Sequence, residues 1–424
     1  GQYVELAKLK IDQLKEGDIS IKEKKVSRNT ILPSIAVLPF TNLSNDPEQT
    51  YFSDGISEDL ITDLSKLSGL FVIARNTSFQ YRGRETDIHS IGKELGVKNI
   101  ITGSVRKYSN SLRISAQLID VNTKRNIWAE RYDRELKDVF SIQDDVTNNI
   151  IKALSLHLTS QEKSGVTKNK ANNVEAYDLF LQGQMLMSRR TKDDNAQAQE
   201  LMKQAIKKDP NYSRPYGSLA IAKVHAANSK WADAPVQEMD RALELAEISV
   251  KISPMSPHAL WSLGFTHLFR KEFEKAEIMA KKSIQYSPNY ADGYGLLSLI
   301  NNHLWKAEQA IKYINKAIEL NPHFTFDYLY NLGMGYYTLE KYDQAIQYLK
   351  KALERNPNFS RGRMFLVASY VGKGLIDDAE WELEQVISDR PSASITNIIK
   401  DTAFADRPSK RRFISQLKQA GLSE

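Results

Sequence analysis

Four carboxylates crowd one short stretch, Asp54, Glu58, Asp59 and Asp63 in "SDGISEDLITD". Such a group could hold a divalent cation or pass protons as a general acid and base. It also stands in the first turns of an expected helix, where the helix dipole favours negative charge without any chemistry. We adopt that second reading. In "ARNTSFQYRGR" (74–84), Arg75, Arg82 and Arg84 lie near Phe79 and Tyr81, a grouping able to take an anion or an acidic partner through guanidinium forks. The alternative is a solvated loop. The histidines, among them His89, His225, His267 and His303, are dispersed, with no carboxylate at ligand spacing, so no metal site is expected. G-x-x-x-x-G-K-[ST], H-E-x-x-H and G-x-S-x-G are all missing. "GMGYY" (333–337) falls inside a repeat helix, where its glycines serve close packing. The expectation is a chain with no catalytic residues and no cofactor, hence not an enzyme in itself.

The elements around these residues differ between the two halves. "SIAVLPF" (34–40) and "LFVIAR" (70–75) are short β-branched runs, each followed by a helical pattern. The helix between them opens at Asp46, Pro47 and Gln49, which supply a cap, a first-turn proline and a reciprocal partner. A second helix is predicted over 87–96, closed by Gly96. Three alternating runs follow at 99–108, 111–121 and 126–134, read as an antiparallel meander. A helix over 139–158 completes a mixed domain, and the polar run 159–173 is a linker.

Beyond it the chain repeats itself. Pro210, Pro254, Pro288, Pro322, Pro357 and Pro391 are 44, 34, 34, 35 and 34 residues apart, a 34-residue period with one insertion. Twelve places before each proline stands an alanine: Ala198, Ala242, Ala276, Ala310, Ala345 and Ala379. Five places before stands Ala205, Ser249, Ser283, Ala317, Ala352 or Val386. Small residues there let two helices approach closely, and each proline ends the second helix of a pair. With "LWSLGFTHL" (260–268), "LYNLGMGYY" (329–337) and "YGSLAIAKV" (216–224), the pattern resembles the tetratricopeptide repeat, six units in a row. It departs in the longer excursions at 188–195 and 226–237, and at Ser298. The last helix, "SKRRFISQLKQAGL" (409–422), carries Phe413, Leu417 and Ile414 on one stripe and is expected to cap the final unit.

The amino half, from "PSIAVLPFTNLSNDPEQTYFSDGISEDL" through "GKELGVKNIITGSVRK" to "RISAQLIDVNTKRNIWAERYDREL", resembles the TolB-like amino-terminal domain of bacterial signalling proteins. That resemblance implies a module placed behind a class III adenylate or guanylate cyclase domain, or else behind a winged-helix DNA-binding domain. It also leaves room for a homodimer, because cyclase domains of that class pair. The fold class expected is therefore α+β, a mixed-sheet TolB-like domain, followed by an all-α superhelix. The divisions are a helix-prone leader (1–33), the mixed domain (34–158), the linker (159–173), six helix pairs (174–407) and a capping helix (408–424).

In such an array the first helices line a concave groove. From the second, fifth, ninth, twelfth and thirteenth places of each unit, the third unit contributes His258, Trp261, Phe265, Leu268 and Phe269. The fourth contributes Asp292, Leu299, Asn302 and His303; the fifth Asp327, Tyr330, Met334 and Tyr337; the sixth Arg361, Met364 and Val371. Aromatic rings and methionines suit an extended peptide or an amphipathic helix. A protein or peptide is the expected partner, with packing against the chain's own segments as the plainer alternative.

Composition bounds the rest. The chain has 424 residues, 41% hydrophobic and 26% charged, no cysteine and a net charge of +6. That length implies more than one core. Disulfides and thiolate metal sites are excluded, and the small, scattered charge excess does not point to nucleic acid. No apolar run is long enough for membrane insertion. The functional expectation is a noncatalytic interaction and regulatory module, not free-standing but the C-terminal part of a cyclase, cytoplasmic in location. The alternative is the periplasmic, sensory part of a membrane-tethered winged-helix regulator.

Overall fold

The computed structural model describes residues 32–44, 46–84, 87–160, 162, 171–229, 231–401, 404–405 and 407–424. The leader expected over 1–33 and most of the linker lie outside these residues.

The amino-terminal sheet contains β1 (Ser34–Val37), β2 (Thr41–Asn42), β3 (Phe71–Val72), β4 (Asn99–Tyr108), β5 (Ser111–Asp120) and β6 (Asn126–Glu135). Its order is β3-β1-β4-β5-β6, with β2 also on β4. β1 pairs in parallel with both β3 and β4, and β4, β5 and β6 form the antiparallel meander. Alternation along β1 divides two faces. Ile35 and Val37 meet α1 (Thr50–Ser65) and the later helix of this domain, while Ala36 and Leu38 share a cluster with Ile91 and Leu95. The cap expected at Asp46 is present, with its carboxylate accepting from the Glu48 amide at 2.9 Å, although a 3-10 turn precedes the α-helix. The "loop" at 74–84 instead begins with a one-turn helix, α2 (Arg75–Ser78). It is followed by α3 (Ile88–Leu95), which ends at Gly96 with φ +65°, and by α4 (Val139–Ala153).

Twelve helices form the six pairs: α5 (Val174–Ser188) with α6 (Lys192–Lys208), α7 (Ser213–Asn228) with α8 (Pro235–Ile252), and α9 (Pro257–Phe269) with α10 (Phe273–Tyr286). Then come α11 (Ala291–His303) with α12 (Ala307–Leu320), α13 (Phe326–Thr338) with α14 (Tyr342–Arg355), and α15 (Ser360–Lys373) with α16 (Ile376–Asp389). All six alanines at the crossing position are fully buried. A β-carbon on Gly333 would stand 2.5 Å from Leu349, so glycine is required where α13 crosses α14. Two further helices close the chain, α17 (Ile395–Asp401) and α18 (Pro408–Gln419).

Candidate functional site

The carboxylates of α1 form the joint between the two halves. Asp59 receives the Tyr177 hydroxyl at 2.5 Å and the Gln143 amide at 2.9 Å, and it pairs with Arg214 at the start of α7. Glu58 lies 2.8 Å from Arg75 and 3.4 Å from Arg214. Burial alone would raise Glu58, but Arg75, Arg214 and His258 outweigh it and hold the carboxyl below the usual range. Asp54 pairs with Arg82 at 2.5 Å and Asp63 with Lys66 at 2.6 Å. Every member of the cluster is thus bound to a cation, as a structural network requires and a proton-transfer site does not.

The arginine loop does not assemble an anion site. Arg75 and Arg82 are taken by Glu58 and Asp54, and both stack over Phe79, while Arg84 lies over Tyr81 at 5.0 Å. The three arginines do not converge: Arg75 and Arg82 answer carboxylates of the neighbouring helix, and Arg84 answers a ring of its own loop.

The turns between repeat units also dock the amino-terminal domain. Asn289 donates its side-chain amide to the carbonyls of Leu67 (3.1 Å) and Leu70 (2.7 Å). Thr77 donates to Asn321 at 2.7 Å and accepts the His323 amide at 2.9 Å, and the Ala74 amide donates to the Leu320 carbonyl at 2.8 Å. The proline turns therefore end one helix and bind a strand-and-helix edge at the same time.

Of the groove residues, the structure leaves Asp292 exposed and His258, Trp261, Phe269, Leu299, Asp327 and Arg361 partly open. Trp261, Phe265 and Phe269 form a continuous stack along α9, with centroids 5.0 and 4.8 Å apart. Phe265 is the middle ring and is itself buried. Asn302, His303, Tyr330, Met334 and Tyr337 are buried, contrary to their expected place on an open surface. Asn302 bonds to Asn331, and Tyr330 meets Phe359 and Phe365 edge-on.

What covers the far half of the groove is the chain's own carboxyl-terminal segment. The Ala405 amide donates to the His303 carbonyl, and the Trp305 indole donates to the Ala405 carbonyl, each at 3.0 Å. Phe404 lies 5.0 Å from His303 and 5.1 Å from Trp305. Arg412 pairs with Glu340 at 2.5 Å and donates to the Thr338 carbonyl at 3.0 Å, at the negative end of α13. Phe413 stacks on Phe365 at 4.5 Å, and Tyr337 and Gln416 are hydrogen-bonded at 2.5 Å. The last helix is expected to cap the array. Its stripe of Phe413 and Leu417 is buried as expected, but it packs on α15 and reaches back to α13, across the inner faces of first helices. Burial also pushes His303 down to about 3, with Arg361 adding to the effect, so it stays neutral under the segment.

Sequence reasoning missed Arg214, Asn289, Asn321 and the path of residues 404–405 and 407–424. Arg214 carried no signal, since it sits in an ordinary first turn. The two asparagines stand in or beside the repeated proline phrase and were visible only as turn residues. Among the described residues no three His, Asp or Glu could hold a metal ion, and no helix is long and apolar enough to cross a membrane.

Comparison with known proteins agrees with the repeat assignment. Tetratricopeptide-repeat models match residues 186–249, 291–324 and 326–359. The helix pairs are tetratricopeptide repeats, a protein-interaction scaffold. Residues 31–153 match the model described as HilA/YgeH-like transcriptional regulator, second domain. A Rhizobium meliloti (strain 1021) protein named "Putative adenylate cyclase 3" is 40% identical over 245 residues, 58% of this chain and 42% of that protein. The chain thus spans less than half the length of that relative. Among solved structures, a thermophilic TPR protein of Thermus thermophilus is 23% identical, covering 47% of this chain and 99% of its own, with a TM-score of 0.35. YrrB, a TPR protein with an unusual peptide-binding site, is 18% identical over 47% of this chain and 98% of its own, with a TM-score of 0.33.

Proposed function

We propose that this chain is the noncatalytic interaction and regulatory part of a bacterial signalling protein, joined to a class III adenylate or guanylate cyclase domain, and that its amino-terminal domain is TolB-like. One observation carries the interaction role: the inner faces of units 4 to 6 hold residues 404–405 and 407–424 as a repeat groove would hold a foreign peptide. Main-chain groups of the segment are bonded by His303 and Trp305, and two phenylalanines enter the aromatic floor. A groove that reads its own segment in this way can exchange it for a partner segment bearing similar rings. The cyclase context rests on the 40% identical relative. A homodimer and a cytoplasmic location belong to the same reading.

The regulator-domain match favours a second reading, the sensory part of a winged-helix transcriptional regulator. One experiment separates them. The gene is expressed with the coding sequence that precedes Gly1, and the product is assayed for cyclic nucleotide formation from ATP and GTP, beside a Phe413→Ala/Leu417→Ala variant. Cyclic nucleotide formation whose rate changes in the variant supports the proposal. A preceding winged-helix domain, with no cyclic nucleotide formed, overturns it.

A further inference from the structure

A cleft of about 300 Å³ lies between the amino-terminal domain and the repeats. Glu58 and Arg75 line it from the first domain; Arg214, His258, Trp261 and Asp292 line it from units 2, 3 and 4. Its size is that of a small-molecule site, and its walls come from both halves of the chain.

The charges in the cleft do not cancel. Lys66 is paired with Asp63, Arg214 with Asp59 and Glu58, and Arg75 with Glu58. The carboxylate of Asp292 is left with no hydrogen bond or ion pair among the described residues, while its main-chain carbonyl accepts the Trp261 indole N–H at 3.0 Å. That bond fixes an aromatic ring beside an unmatched negative charge. A second group also lacks a partner, the buried Nδ1 of His258. Burial pushes His258 down to about 4, aided by Arg214, so at neutral pH the ring is uncharged and one of its nitrogens can accept a hydrogen bond. Asp292 is itself open to water, so its carboxylate is within reach of a ligand, and the fixed indole beside it offers a cation a ring face.

We propose that this cleft binds a small organic cation, an ammonium group on a flat apolar body, with the ammonium on Asp292 and the body against Trp261. Such a ligand bridges units 3 and 4 of the repeats. This inference does not depend on the cyclase reading.

The groups facing Asp292 are Glu58 and Arg75 from the first domain, Arg214 and His258 from earlier units, and Tyr290 and Tyr328 from its own surroundings. Although the side chain is open to water on one side, desolvation by the surrounding cleft walls, with Glu58 adding and Arg75 opposing, pushes the Asp292 carboxyl up to about 6. Binding of a cation should therefore weaken as the pH falls through that value.

The test is calorimetric titration of the whole chain with 2-phenylethylamine, beside neutral 2-phenylethanol and anionic 3-phenylpropionate. The expected result at pH 7.5 is saturable 1:1 binding of the amine alone, weakened about tenfold or more by Asp292→Asn and about tenfold for the unaltered chain at pH 5. Amine binding no tighter than that of the alcohol, or unchanged at pH 5, overturns the proposal. The pH series uses the unaltered chain, so it decides the matter even if the variant does not fold.

Discussion

Trp261 and Tyr330 occupy the same place, the fifth, in units 3 and 5, yet they meet different surroundings. Trp261 lies partly open at the mouth of the cleft, stacked on Phe265. Tyr330 is 5% exposed, closed in by Phe359 and Phe365, with the carboxyl-terminal segment packed on the same aromatic cluster. Register within a repeat decides which way a side chain points. Whether that direction is surface or core is decided by a segment far away in sequence, here the residues around Phe404 and Phe413. The near end of the groove therefore stays partly open, and the far end has become an internal interface.

The largest expected effect falls on the joint that sets the near end apart. Replacing Arg214 by Ala leaves Asp59 and Glu58 short of a cation in a buried place, a loss of about 3 kcal/mol or more. Chemical unfolding should show it, with the amino-terminal domain becoming sensitive to protease before the repeats do. If stability stays within about 0.5 kcal/mol of the unaltered chain, the joint is not held by these charges and the near end has no fixed wall.

A smaller effect tests the pair of rings directly. Tyr330→Ala removes a buried aromatic and should cost about 3 kcal/mol, whereas Trp261→Ala, partly open, should cost about 1 kcal/mol or less. Thermal unfolding of the two variants side by side checks the difference. Equal losses would mean that the two ends of the groove are equally core, and the contrast drawn between them would be lost.

How much of this was legible in the sequence follows from the range of the interactions. The 34-residue period, the six alanines and the proline stops are local features, and each alanine is where packing demands it. The meander and the cap at Asp46 are local as well. The joint is not local: Thr77 and Asn321, or Asp59 and Arg214, are ordinary residue types brought together only by the fold. Asp292 could be placed on the groove from its position in the unit, but its lack of a partner depends on how Arg75 and Arg214 are taken by Glu58 and Asp59. The covering of the far groove was missed for a similar reason. The amphipathic stripe of Phe413 and Leu417 shows that the last helix needs an apolar seat, and an end cap and an inner face both provide one.

The smallest expected effect concerns Asp292 and the stability of the free chain. Its folded-state pKa, about 6, lies above the ordinary aspartate value, so the native chain holds this proton more tightly than the unfolded chain does. The contribution to stability is complete below the unfolded value and is lost as pH rises through about 6. At pH 7.5 the charged carboxylate then weakens the fold, and Asp292→Asn should restore that loss, while at pH 4 the substitution should have little effect. The side chain remains open to water in the cleft, so the gain at pH 7.5 is about 1 kcal/mol at most. Denaturant unfolding of both proteins at the two pH values measures it. A gain of equal size at both would remove the unpaired charge as its cause, and a loss at pH 7.5 would mean that Asp292 has a partner in solution, so that the near end of the groove is closed like the far one.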